Sequence, residues 1–191
     1  MEFSKGVKTK ELTKVKSKNK FKTGTTIEFI PDEEILKEYA KLNIDDIIEN
    51  LKVRTYSNAG LKVYFKSGKL TKEFCNPNGI QDYIEELNRS QLIPNIYFDH
   101  TDKEGNYYEV VMSYNNTDEE IIKSFVNGIA TSKGTHETGV KMSVTTALTN
   151  YIKKNNMLPK KLEEVEIKGD DVRMGFTCVI NVRHLAPSFK G

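Results

Sequence analysis

The sequence contains no tryptophan, and only two cysteines, three histidines and five prolines in 191 residues. Cys75 and Cys178 stand alone, each beside apolar residues. They write neither a disulfide framework nor a structural zinc site, and fit a packing role in a reducing compartment. His100, His136 and His184 are too scattered to spell a catalytic triad or a metal site. No apolar run approaches the roughly 20 residues that span a bilayer, and nothing reads as a signal peptide, so an intracellular protein is expected. Also missing are a glycine-rich loop ending in Lys-Ser or Lys-Thr and a strand-linked Gly-x-Gly-x-x-Gly, which leaves nucleotide binding by this chain without a sequence signal.

Net charge is small as well, +2 from 29 basic and 27 acidic side chains. It is unevenly spread. Residues 1–22 hold eight lysines against Glu2 and Glu11, a local +6, so the remainder sums to about −4. A module that wraps nucleic acid with its whole surface carries its positive charge throughout. The basic stretch instead reads as an exposed arm or weak edge strand, with the folded domain over residues 23–191.

Thr23-Gly24-Thr25 turns into the alternating segment Thr26-Ile27-Glu28-Phe29-Ile30, a half-buried strand that Pro31 closes. Asp32 is placed to cap a short helix, and a second helix follows from Ile44 with Ile47, Ile48 and Leu51 on one side. Residues 61–66 and 70–75, joined by Ser67 and Gly68, predict a hairpin. Ile80, Tyr83, Ile84 and Leu87 mark a short helix, and residues 96–98 and 107–114 a second hairpin. Residues 121–129 suit either period, and a strand over 123–129 is favoured. Val140, Val144, Ala147, Leu148, Tyr151 and Ile152 form one stripe of a helix over 137–154, which Lys153 and Lys154 close. Residues 176–182 read as a central strand. With few helices for a large sheet, the expected architecture is α+β, a mixed or antiparallel sheet with helices on one face.

Few residues suggest chemistry. Thr131 to His136 make a polar loop at the start of the long helix. The loop could hold an anion there, or Gly134 could simply form the turn and Thr135 or His136 the helix entry. Asp170 and Asp171 point apart in an extended chain. In a turn, one of them caps a helical turn containing Arg173, so paired-carboxylate catalysis is not expected. Lys133 and the arm lysines could touch a phosphate backbone, with surface solvation as the rival explanation.

Three motifs carry a resemblance: the Thr23-Gly24-Thr25 strand; Ser124-Phe125-Val126-Asn127-Gly128-Ile129-Ala130-Thr131 followed by Lys133-Gly134-Thr135-His136; and Gly169-Asp170-Asp171-Val172-Arg173-Met174-Gly175. In this order and over nearly the whole chain, they resemble the transducer domain of the ATPase subunit of type IIA DNA topoisomerases, a family that includes gyrase B, topoisomerase IV and eukaryotic topoisomerase II. One glycine of the family's Gly-Gly-Thr-His loop is replaced by Lys133.

The resemblance implies a fold like the second domain of a small-subunit ribosomal protein, with a left-handed β-α-β crossover against the generic right-handed expectation. It implies an ATP-hydrolysing DNA topoisomerase in which this segment couples ATP binding and hydrolysis to DNA gate closure and duplex passage. ATP and Mg2+ serve the full enzyme. No catalytic, cofactor or metal residue is expected in this chain, which is expected to stop before the Gln-Thr-Lys loop and to be inactive alone. The implied partners are an N-terminal ATP-binding domain, C-terminal cleavage domains and double-stranded DNA. The full enzyme would be dimeric or heterotetrameric and the fragment monomeric, in the cytoplasm or nucleoid of a bacterium or phage, or in a viral or organellar setting. Lys133 and Arg173 are the candidates to face DNA. Two alternatives stand beside this: a free-standing basic nucleic-acid-binding module, or the equivalent domain of a related repair or chaperone ATPase.

Overall fold

The computed structural model describes residues 1–14, 16, 23–159, 161 and 167–189. Part of the expected arm (residues 15 and 17–22) and the terminal Lys190 and Gly191 lie outside them. The chain divides into two compact units, residues 1–47 and 48–191, so the break falls inside a helix.

In the first unit, β1 (Glu2–Ser4) and β2 (Val7–Lys10) form an antiparallel hairpin. Lys5 and Gly6, with φ of 47° and 79°, make the two-residue turn whose left-handed backbone matches strand twist. α1 (Glu33–Leu36) is capped as expected, Asp32 Oδ1 accepting from the Glu34 and Ile35 amides at 2.9 and 3.3 Å. The strand expected over residues 26–30 does not form. Ile27, Phe29 and Ile30 are 81%, 64% and 91% exposed, and no ladder partner among the described residues faces them. Alternation alone does not make a strand, because its amides and carbonyls need a neighbour.

α2 (Ile44–Tyr56) opens on Asn43, whose Oδ1 accepts from the Asp45 and Asp46 amides. In the second unit its last turn is buried at Thr55 and Tyr56. The predicted hairpin follows as β3 (Lys62–Ser67) and β4 (Leu70–Cys75), a separate two-stranded sheet. Next come α3 (Ile80–Leu87), β5 (Ile96–Thr101), β6 (Tyr107–Tyr114), β7 (Ile121–Val126), β8 (Ile129–Thr131), α4 (Thr135–Lys154), α5 (Gly169–Arg173) and β9 (Phe176–Arg183). The strand expected over 123–129 is thus a hairpin, broken at Asn127 and Gly128. Both have positive φ, 51° and 77°, as a two-residue turn of this kind requires.

The five-stranded sheet runs β5-β6-β9-β7-β8. All pairings are antiparallel except β7 with β9, so the chain crosses from one to the other through β8 and α4. This parallel pair is where the resemblance puts its unusual crossover.

The register corrects one expectation. Val111, Val179 and Phe125 share a face and pack with Tyr56, Ile80, Tyr83 and Ile84 of α2 and α3. Val110, Cys178, Ile180 and Val182 share the opposite face and pack with Val140 and Val144 of α4. Helices therefore cover both faces. The cause is β9, buried at seven of its eight positions, which has an apolar or hydrogen-bonded side chain to cover on each side. Burial of Ile80, Ile84 or Phe125 contributes about 1.5–3 kcal/mol apiece.

Candidate functional site

β9 is the axis of the second unit, and side chains from distant segments grip it at both ends. At its entry, Arg173 in α5 sends Nε to Glu120 Oε1 (3.1 Å), Nη1 to Thr145 Oγ1 of α4 (2.7 Å) and Nη2 to Asp170 Oδ1 (2.8 Å). Lys141 Nζ also reaches Glu120, at 3.3 Å. A planar guanidinium suits this task because its donors point in fixed, diverging directions. The Tyr114 hydroxyl donates to the Val172 carbonyl (2.6 Å), and Asn115 binds the strand itself, its amide to Gly175 O (2.8 Å) and its Nδ2 to Thr177 Oγ1 (2.9 Å). Gly175 makes the approach possible. Its φ is +73°, and a Cβ there would lie 2.5 Å from the Asn115 carbonyl oxygen.

At the exit, Asn127 of the β7–β8 turn holds His184 by both groups of its amide. Oδ1 accepts from the His184 N–H (2.8 Å) and Nδ2 donates to the His184 carbonyl (2.9 Å). The Asn127 amide donates to Val182 O (2.8 Å), and Asn106 of the β5–β6 turn accepts the Leu185 amide at 3.0 Å. Asp102 organises that second turn, accepting from the Glu104 and Asn106 amides, the Asn106 side chain and the Tyr108 hydroxyl. These bonds, led by the Asn106 side chain, pull the Asp102 carboxyl down to about 2.

The loop before α4 has a structural use. The Glu137 carboxylate only accepts, so the Ser124 hydroxyl donates to it and accepts in turn from Thr131 Oγ1 at 2.6 Å. Thr131 Oγ1 in turn lies 3.1 Å from His136 Nε2, which extends the chain to the imidazole. This chain ties the start of α4 to β7 and β8. Burial holds the His136 imidazole below its ordinary range, against the pull of Glu137, and burial pushes the Cys178 thiol up to about 12. Thr135 is the first helical residue, and Gly134 precedes it with no side-chain cap.

The predicted site residues separate accordingly. Lys133 is exposed and has no hydrogen-bonding or ionic partner among the described residues. The Arg173 guanidinium is engaged three ways within the domain and only 14% exposed. Asp170 meets Arg173 while Asp171 Oδ2 accepts the Lys168 amide (2.8 Å), so the two carboxylates diverge as expected. His100 and His136, unrelated in sequence, line one cavity of about 380 Å³ with Phe98, Tyr108 and Val140, whereas His184 lies at the β9 exit. The holding roles of Asn106, Asn115, Glu120 and Asn127 escape sequence reading, although Asn127 belongs to one of the resemblance motifs. Of these only Asn127 leaves a signal, as the Asn-Gly pair of a tight turn. Among the described residues no group of three or more His, Cys, Asp or Glu side chains is arranged to hold a metal ion.

Comparison with known proteins gives this architecture a lineage. The model of the family described as DNA gyrase B matches residues 79–191. The DNA gyrase B protein of Campylobacter jejuni is 35% identical over 194 residues, covering 100% of this chain and 24% of that protein, and that of Streptococcus pyogenes is 37% identical over 177 residues, covering 88% and 27%. The chain thus spans about a quarter of the length of the curated relatives it matches. Among solved structures, the 43K ATPase domain of Thermus thermophilus gyrase B in complex with an aminocoumarin superposes with a TM-score of 0.67 at 26% identity, covering 84% of this chain and 44% of that one. The topoisomerase IV ATP-binding domain of Francisella tularensis, at 23% identity and a TM-score of 0.63, shares the fold. With its family model matched from α3 to the last residue and a mixed sheet like that of these structures, the chain belongs to the DNA gyrase B family.

Proposed function

We propose that this chain is the mechanical relay of an ATP-dependent type IIA DNA topoisomerase, coupling nucleotide state in an ATP-binding domain to DNA gate closure and duplex passage. The observation that carries this is the double grip on β9. A strand buried on both faces and held at each end by fixed side chains moves as one body with its neighbours, because packed elements have discrete arrangements and do not bend continuously. The entry grip reaches α4, α5 and the segment before β7. The exit grip reaches two turns and sets the direction in which the chain leaves at His184 and Leu185.

In this reading ATP and Mg2+ belong to the whole intracellular enzyme, and this chain supplies neither a nucleophile nor a metal ligand. Its contribution is positional, since a displacement at the exit is transmitted along β9 to α4. Of the two candidates to face DNA, Lys133 stays available to a phosphate at the surface. Arg173 serves the relay.

The test is Asn127→Gly in the full-length protein assembled with its partners. Glycine keeps the positive φ of the turn and removes both side-chain bonds to His184. We expect strand passage events per ATP hydrolysed to fall several-fold while the variant stays folded, losing about 1–2 kcal/mol. Unchanged passage per ATP would overturn the relay.

A further inference from the structure

The structure offers a charged surface that neither Lys133 nor Arg173 belongs to. β3 and β4 stand as a two-stranded sheet of their own, hydrogen-bonded to no other strand among the described residues. Between Lys62 and Cys75 the hairpin carries Lys62, Lys66, Lys69 and Lys72 against a single acid, Glu73, a local charge of +3. All four lysines are exposed, and none has an ion-pair or hydrogen-bond partner among the described residues. Elsewhere in the second unit Lys52 is bound to Glu86, Lys141 to Glu120 and Arg173 three ways, while Lys133 is unpaired like the hairpin lysines.

Their placement is ordered. Lys62 and Lys66 share a strand face at a separation of four residues, roughly 13 Å at about 3.4 Å per residue. Lys69 occupies the turn, after Gly68 with its φ of 57°, and carries positive charge to the tip. The other face carries half-buried Val63, Phe65 and Phe74 together with Lys72, which lies opposite Phe65, while Glu73, opposite Tyr64, sits on the face of Lys62 and Lys66. On that face and at the tip Lys62, Lys66 and Lys69 outnumber Glu73, a basic cluster that suits an anionic partner. A spacing near 13 Å matches roughly four nucleotide rises of about 3.4 Å along one DNA strand.

We propose that the β3–β4 hairpin is a contact element for the phosphate backbone of duplex DNA, holding the duplex by charge and without reading its sequence. The proposal rests on the topoisomerase reading for its choice of DNA as the polyanion.

The experiment measures binding of the 191-residue chain to a 30-base-pair duplex of mixed sequence across a salt series. Each lysine that meets a phosphate adds about 0.9 to the magnitude of the slope of log K against log salt. Replacing Lys62, Lys66 and Lys69 together by Gln is expected to lower that magnitude by roughly 2–3. The matching triple Arg variant keeps the slope, and Lys133→Ala changes it by no more than about 1. An unchanged slope in the Gln variant overturns the proposal, as does a slope that instead collapses when Lys8, Lys14 and Lys16 are neutralised. Equal displacement of the duplex by polyglutamate of matched charge also overturns it, since it would make the hairpin a generic acid binder. None of these results touches passage per ATP in Asn127→Gly, so the two readings fail separately.

Discussion

Residues 26–30 and the strand pair β6 and β9 show the same chemistry with opposite outcomes. Ile27, Phe29 and Ile30 are apolar, β-prone and more than 60% exposed, whereas Val110, Val111, Val179 and Ile180 are at most 3% exposed. The difference is the company each keeps. β6 and β9 have ladder partners on both edges and a helix over each face, while residues 26–30 have neither among the described residues, and no described residue of the first unit is buried. Composition proposes a strand; neighbours supply the area that makes it stable.

Paired truncations test this comparison, and the effect expected is the largest of those considered. Ile84→Ala removes a fully buried side chain from the core between α3 and the sheet and is expected to cost about 2–5 kcal/mol in urea unfolding of the second unit. Ile27→Ala in the same chain is expected to fall within about 0.5 kcal/mol of the parent. A loss above about 1 kcal/mol for Ile27→Ala would break the contrast, since it would require a burial at residue 27 that the structure does not contain.

A smaller effect distinguishes buried charge from solvated charge. Arg173, with three partners and little exposure, differs from Lys10, whose bond to Glu2 lies at the surface. Arg173→Ala is expected to lower stability by about 1.5–3 kcal/mol, with little rescue by Lys, which cannot reach three diverging acceptors. Lys10→Ala, at a solvated surface pair, is expected to leave stability close to that of the parent. Similar losses for the two would remove the entry grip from the relay. Equal stability of Arg173→Lys and the parent would mean that charge alone, without the fork, holds α5.

The sequence made some of this legible and hid the rest for physical reasons. Helices showed themselves where period and caps coincide: Asp32 at the start of α1, and Ile80, Tyr83 and Ile84 on one face of α3. The β3–β4 hairpin was visible because its alternation and its Gly68 turn agree. The covering of both faces was hidden, because the continuous burial of β9 depends on which strands flank it, a long-range fact. Asn127 was overlooked inside a favoured strand even though Asn-Gly is a turn signal. Its grip on His184 joins residues 57 apart, a pairing no local window contains. Arg173 was read as a candidate to face DNA because its actual partners Glu120 and Thr145 lie 53 and 28 residues away.

The smallest effect concerns His136, where a motif residue read as a helix entry proves to belong to a half-buried hydrogen-bond chain. Its folded pKa lies below the ordinary 6.5 because burial disfavours the imidazolium, with Glu137 opposing. The unfolded chain therefore binds this proton more readily than the folded one. The contribution to stability is complete above the unfolded value near 6.5 and is lost as pH falls from there toward the lowered folded value, where the loss levels off. Thermal unfolding at about pH 7.5 and about pH 5.5 should show this as a drop in the midpoint at the lower pH, and His136→Gln, whose side-chain amide can still bond to Thr131, should shrink the drop. If the Gln variant keeps the full drop, the proton-sensitive group is elsewhere. If its midpoint instead rises at the lower pH while the parent's falls, His136 is masking an opposing titration elsewhere in the chain.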